Sequence, residues 1–384
     1  MLKKSYIPLF LLGMCALINL YSTQPILGQL GAWAHIAPER AAWTVSATTL
    51  GVAICAPFSG AISDVYGRKK VMLCALGIMV ISTIACCFSP NFLMLLVLRL
   101  SQGLATPFVF TVAVAYISEE EEDGAQAKSL YVAGTAFGGF AGRLLSGLVT
   151  DWTGVWRLSF AANAVILLFT IVAVVFFLPP EDNFQPASSV MESVSGIRAQ
   201  MKEPGLLASC FIASCLLFQQ VSSFTFGSLR LMDPPYDLST SLVSFIFVIF
   251  LLPTVLTPFS GELISKKGRV FTFGVVASIT ILGLMLTLLP FLWAMVLGLA
   301  FSCVAVFMGQ SCGTGFVSTH SKTNKSTAVG LYTSFYYLGG TLGAIVPEPA
   351  YQTWGWISIV LIIIVLAVCS FGVARRFWTD KSSI

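Results

Sequence analysis

Two arginines, one glutamate and a few side-chain amides stand in stretches of sequence that are otherwise apolar, and chemistry is to be expected from these residues first. Arg99 and Arg143 fall inside the apolar runs 92–117 and 129–150. A guanidinium in such surroundings is costly to keep and by default functional. Arg99 can hold an anionic group, tune a nearby carboxyl, or bond backbone carbonyls as a structural residue. Glu348, between Pro347 and Pro349, is the one acidic residue inside a late apolar run. A buried carboxyl there can take up and release a proton, although the position also suits a loop just past a helix end. Asn19, Tyr21 and Gln24 interrupt the first run, and Gln102 follows Arg99 by three residues. Amides at such depths suit either a polar cavity or hydrogen bonds between helices.

Other chemistries lack their parts. The two histidines, His35 and His320, lie in different loops with no second ligand near either, so no metal site is expected. The ten cysteines sit in apolar runs without a CxxC pair and read as small buried hydrophobes. A membrane enzyme would need a catalytic His, Cys or metal cluster at the membrane face, and none is found. No GxxxxGK[ST] loop is present, so ATP drive and a bound cofactor are not expected.

The elements that must hold these residues are membrane-spanning helices. Of the 384 residues, 57% are hydrophobic and only 10% charged, and the mean hydropathy is +0.88. A soluble protein of this length needs far more charge to cover its surface. Apolar segments fall at 7–28, 41–62, 71–88, 92–117, 129–150 and 157–178. They resume at 205–228, 240–262, 271–289, 291–317, 328–350 and 356–374. Twelve spans of about 20 residues leave only short loops. The polar stretch 179–204 reads as a linker between two six-helix halves, 1–178 and 205–384. The first run follows Lys3 and Lys4 and carries no small-x-small cleavage pattern, so a retained helix is expected. With a cytoplasmic N-terminus, sixteen of the 21 Lys and Arg residues fall on the cytoplasmic side. That bias accounts for the net charge of +4 without nucleic acid, and an even helix count returns the C-terminus to the cytoplasm.

The two halves repeat each other at an offset of 201 residues. Gly60, Gly67 and Arg68 return as Gly261, Gly268 and Arg269. Leu130 and Tyr131 return as Leu331 and Tyr332, and Gly138, Gly139 and Gly142 as Gly339, Gly340 and Gly343. The same offset maps Asn19 onto Gln220 and Gln24 onto Thr225. Polar residues at matching depths in two parallel halves suit a central binding site.

The loop from Gly60 to Lys70, with Asp64, Gly67, Arg68 and Lys69, resembles the G-x-x-x-D-x-x-G-R-[RK] signature of the major facilitator superfamily. The resemblance implies that Asp64 meets the N-terminus of the eleventh helix, where the helix dipole favours a carboxylate, and holds a cytoplasmic gate. Gly67 permits the tight turn. The second copy, with Gly268 and Arg269, is degenerate because Ser265 stands in place of the aspartate, so the two loops are expected to differ. Arg99-Leu-Ser-Gln102-Gly103 resembles the superfamily's R-x-x-Q-G motif. Gly134, Gly138 and Gly142 share one helix face and, like Gly339 and Gly343, are expected to let helix backbones approach closely. They resemble the fifth-helix motif of drug:proton antiporters, except that Gly139 stands where that motif has proline. The acidic run from Glu119 to Asp123 reads as a solvated cytoplasmic loop. Stretches such as LYSTQPIL and LYTSFYYLGGTLG look like the YnfM-type bacterial inner-membrane carriers.

The resemblance implies an all-α membrane protein of the major facilitator fold, with twelve transmembrane helices in two pseudo-symmetric halves. It implies a secondary transporter in a bacterial inner membrane, working by alternating access and exporting a small organic solute or drug against protons. Proton-coupled uptake of a sugar or metabolite is the alternative, and a receptor that no longer transports is a further one. The expected partners are a small-molecule substrate, protons and the bilayer, with a monomeric protein and no nucleic acid.

Overall fold

A computed structural model of the chain describes residues 6–120, 124–181, 200–320 and 325–378. Among the described residues every regular element is helical. Nine helices among the described residues are long and apolar enough to cross a membrane, or ten if one bent pair is counted as a single span, and the shorter apolar helix Tyr6–Ile18 and the helix Lys325–Ile345 complete twelve. In chain order the spans are α1 (Tyr6–Ile18), α2 (Pro38–Tyr66), α3 (Arg68–Cys87), α4 (Phe92–Glu119), α5 (Gln126–Thr153) and α6 (Arg157–Phe177). They continue with α7 (Pro204–Met232), α8 (the bent pair Thr240–Leu256 and Pro258–Lys267), α9 (Arg269–Leu286), α10 (Leu292–His320), α11 (Lys325–Ile345) and α12 (Trp356–Phe377). The expected linker lies mostly outside the described residues, which omit 182–199.

The chain divides into two compact units, Met1–Ser193 with Ser239–Phe247, and Val194–Leu238 with Val248–Ile384. The first turns of α8 therefore belong with α1–α6. Within that unit Gln29 Nε2 donates to Thr240 Oγ1 at 2.7 Å, and a Cβ added at Gly147 would strike the Ser244 side chain.

In the first unit α1 lies against α5 along the glycine face. A Cβ at Gly134, Gly138 or Gly142 would run into the backbone carbonyls of Phe10, Met14 and Ile18 respectively. The four-residue spacing of the glycines thus matches the four-residue spacing of the α1 carbonyls. Gly103 on α4 meets the Thr48 carbonyl of α2 in the same way. In the second unit Gly339 and Gly343 of α11 face the Ser214 and Phe218 carbonyls of α7.

The first apolar run is not one helix. Regular structure stops at Ile18, passes through tight turns and resumes as a 3₁₀ turn at Gln24–Ile26 and a helix at Leu27–Ala34. Pro25 is the local cause, since it has no N–H to offer the Tyr21 carbonyl and its ring crowds that oxygen. The Tyr21 carbonyl instead accepts from the Gln24 N–H at 3.1 Å. In the repeat, position 226 is phenylalanine, and α7 runs unbroken from Pro204 to Met232. At the other end of that unit α11 stops at Ile345, and a short helix, Glu348–Trp354, starts behind Pro347.

Candidate functional site

Two separate polar clusters flank the break in the first span. The first centres on Arg99, whose relative exposure is 0%. Its Nη1 donates to the Asn19 carbonyl and to Gln102 Oε1, both at 2.7 Å. Its Nη2 reaches the Leu20 carbonyl at 3.1 Å and Thr48 Oγ1 at 3.0 Å, and its Nε the Thr44 carbonyl at 3.2 Å. The planar fork of a guanidinium suits this divergent set of acceptors. Asn19 Nδ2 and Gln102 Nε2 both donate to Thr83 Oγ1 at 2.9 Å, which joins α1, α3 and α4 to the same cluster. Asn19 Oδ1 is buried without a partner. The structure thus brings Asn19, Arg99 and Gln102 together inside the six-helix unit, with Arg99 bonded to freed backbone carbonyls. In the repeat, where the helix is unbroken, position 300 is alanine.

The second cluster gathers Tyr21, Gln24 and Arg143. Arg143 Nε donates to Gln24 Oε1 at 2.7 Å, and Nη1 bonds the Gly139 carbonyl one turn back on α5. The guanidinium lies 4.5 Å from the centre of the Tyr21 ring and 4.8 Å from that of Phe247. Rings on a guanidinium shield it from hydrocarbon while adding cation–π attraction. Phe247 carried no signal in the sequence, because it reaches Arg143 through the unexpected membership of Ser239–Phe247 in this unit.

At the signature loop Gly67 takes φ +95°, which an L side chain adopts only under strain. Asp64 ion-pairs with Arg68 one turn on. Arg68 also forms a forked pair with Glu119, Nη2 to Oε1 at 2.7 Å and Nε to Oε2 at 3.0 Å. Glu119 is exposed, as read, but it stands on the end of α4 and this pair ties that end to the loop. Glu121 to Asp123 lie outside the described residues. Lys69 is held twice: its N–H bonds Glu181, and its Nζ donates to the Leu178 carbonyl at 2.6 Å. The second copy is built differently. Gly268 has φ +85°, Ser265 Oγ donates to the Glu262 carbonyl, and Arg269 donates to the Cys312 carbonyl at 2.8 Å beside the Phe316 ring. His320 holds the position equivalent to Glu119 and stacks on Phe316 at 3.8 Å.

In the second unit Gln220 contacts Cys303 Sγ at 3.6 Å and leaves its Oε1 buried without a partner. Cys303 is the repeat partner of Gln102, which in the first unit shares the Thr83 hydroxyl with Asn19 instead of contacting it. The neighbouring Gln219 donates to Thr280 Oγ1 at 3.2 Å and Ser302 Oγ at 3.1 Å, a pair of contacts that the sequence did not signal. Glu348 opens its short helix at 5% exposure. It is the one buried carboxyl among the described residues. No group of His, Cys, Asp and Glu able to hold a metal occurs among them.

The chain as a whole is similar to known proteins. The chain is 31% identical over 368 residues to a transporter of Buchnera aphidicola, covering 94% of this chain and 88% of that one. It is 28% identical over 375 residues to the inner membrane transport protein YnfM of Escherichia coli, covering 96% and 89%. The human organic anion transporter MFSD10 shares the fold with a TM-score of 0.73 at 17% identity, over 96% of this chain and 98% of that one. The nucleoside transporter NupG gives 0.77 at 15%, over 97% and 100%. The profile of the Major Facilitator Superfamily matches residues 9–344, from α1 through most of α11. With its twelve helical spans in two repeated halves, the chain is a multi-pass secondary transporter of a small molecule and belongs to the Major Facilitator Superfamily.

Proposed function

We propose that the chain exports a small organic solute in exchange for protons, by alternating access of its two six-helix halves, 1–178 and 205–384. The observation that carries the reading is Glu348, the one buried carboxyl among the described residues. An ionisable group inside a membrane protein marks the ion or proton path by default. Arg143, with Tyr21 and Gln24, is the cation we assign to the solute path, since its rings and amide suit an amphipathic organic solute. The test is flux of a panel of organic solutes in proteoliposomes. A proton gradient should drive one or more of them opposite to proton movement. Movement in the same direction as protons would make the chain an importer, and flux indifferent to the gradient would remove proton drive.

The gate is assigned to the first signature loop. Asp64 is half-exposed and charged, as a contact that must form and break in each cycle requires. Asp64→Asn is expected to slow transport about tenfold, the equivalent of one lost charge-assisted contact. Expression should stay near normal, because Arg68 keeps Glu119. Ser265→Ala should be mild. Equal damage from the two substitutions would refute the asymmetry of the loops.

The Lys and Arg bias assigns both termini and the 179–204 linker to the cytoplasm of a bacterial cell. A cysteine at Ser188, in a chain freed of its ten native cysteines, should react in intact cells with a permeant thiol reagent only. Labelling by an impermeant one would invert the topology.

A further inference from the structure

We infer that a groove on the first six-helix unit holds one acyl chain of an anionic phospholipid, whose headgroup phosphate is bound by Lys70. The groove has a volume of about 710 Å³ and runs between α2 and α3, with α4 as its floor. Its length follows from α3. Lys70 and Ile78 both line it, and eight residues at a rise of about 1.5 Å each separate them by about 12 Å. The wall carries small side chains at Cys74 on α3 and Ser101 on α4, and apart from Lys70 and Cys55 it is otherwise aliphatic or aromatic.

The layout is amphipathic along its length. Tyr66 and Lys70 stand together at one end beside the signature loop, and apart from the Ser101 hydroxyl the rest of the lining is apolar. Tyrosine and lysine are the residues that sit at headgroup level, with the lysine stem along apolar surface and the ammonium in the polar zone. Of the three consecutive cations, Arg68 is committed to Asp64 and Glu119, and Lys69 to the carbonyl end of α6. Lys70 is exposed and has no ion-pair partner among the described residues. A basic charge at the mouth of an apolar trough matches the charge and shape of an anionic lipid. A second copy of the chain would instead need a broad contact face, and a soluble anion would have no use for the trough.

Native mass spectrometry of the purified full chain, exchanged into phosphatidylglycerol or phosphatidylcholine of identical acyl chains, tests the assignment. Phosphatidylglycerol should be retained about fivefold better, the effect of one basic residue at a membrane surface. Lys70→Gln should remove that preference. Cys74→Phe, which fills the groove, should reduce retention of both lipids. Lys202→Gln, a cation elsewhere, should behave as the unsubstituted chain. Lys70 and Cys74 are both exposed, so neither change disturbs the core; Ser101→Leu repeats the filling from the floor. Glycerol phosphate, a headgroup without a chain, should not compete. Equal retention of the two lipids by the unsubstituted chain overturns the proposal. A preference that survives Lys70→Gln, retention unchanged by both filling variants, or displacement by glycerol phosphate also overturns it.

Discussion

Arg99→Ala is expected to leave little folded protein. The guanidinium serves the carbonyls of Asn19, Leu20 and Thr44 as well as Gln102 and Thr48. Asn19 and Leu20 are buried where the first span has lost its helical pattern. Each orphaned buried acceptor costs about 1–3 kcal/mol. Gln102 Oε1 loses its donor outright, and the Asn19 and Leu20 carbonyls keep only the longer contacts from Ser22 Oγ at 3.1 Å and Thr48 Oγ1 at 3.3 Å. The loss is therefore about a few kcal/mol of a total stability of about 5–15 kcal/mol. The repeat suggests the decisive control. Where Phe226 replaces the proline the helix is continuous, and Ala300 replaces the arginine. Pro25→Phe together with Arg99→Ala copies that solution, so the double variant should recover yield in size-exclusion profiles relative to Arg99→Ala alone. It should still transport poorly, because the break itself is gone. A double variant no better folded than the single one would mean that Arg99 does not serve the break.

Glu348→Gln is expected to abolish solute accumulation against a gradient while leaving exchange down a gradient partly intact. A carboxamide keeps the shape and hydrogen-bonding reach of the carboxyl but cannot exchange a proton, so the solute path survives without its coupling. The measurement is paired: counterflow in the absence of a proton gradient, and uphill transport in its presence. Arg99→Ala, in whatever protein folds, should depress both. Uphill transport by Glu348→Gln with unaltered pH dependence would move the coupling to another group.

Much of this was legible in the residues themselves. Composition dictates the bilayer, and twelve apolar runs with one repeat offset dictate two six-helix halves, because backbone groups in lipid have no alternative to helices. The glycine spacing likewise marks a close backbone approach, although it does not say which carbonyls are met. What the sequence hid is long-range. Pro25 turns out to break the run read as one helix, and nothing local says that Arg99, far along the chain, receives the freed carbonyls. In the structure Arg99 bonds backbone carbonyls together with the Gln102 and Thr48 side chains, the arrangement of one of the readings left open for it. Glu119 looked like loop charge because its partner Arg68 is 51 residues away. Glu181 was invisible for the same reason, since it closes on the Lys69 N–H from the start of the linker. Phe247 reaches Arg143 only because the first turns of α8 pack with the opposite half of the sequence.

The run of close contacts between α1 and α5 ends at Ile18, at the residue where α1 itself ends. One inserted or deleted residue between Phe10 and Ile18 would turn the carbonyls on one side of it by about 100° of helix relative to the other, so the three could not all stay matched to their glycines. That stretch is closed to changes of length over evolutionary time. Beyond Ile18 no match to α5 glycines is imposed, and the turn after Ala34 is held only locally, by the His35 and Ile36 N–H groups on the Gly31 carbonyl. Length variation among natural relatives should therefore collect around 35–37 and spare 10–18, so gaps in the family record the boundary between the clamped and the adjustable parts of the first span.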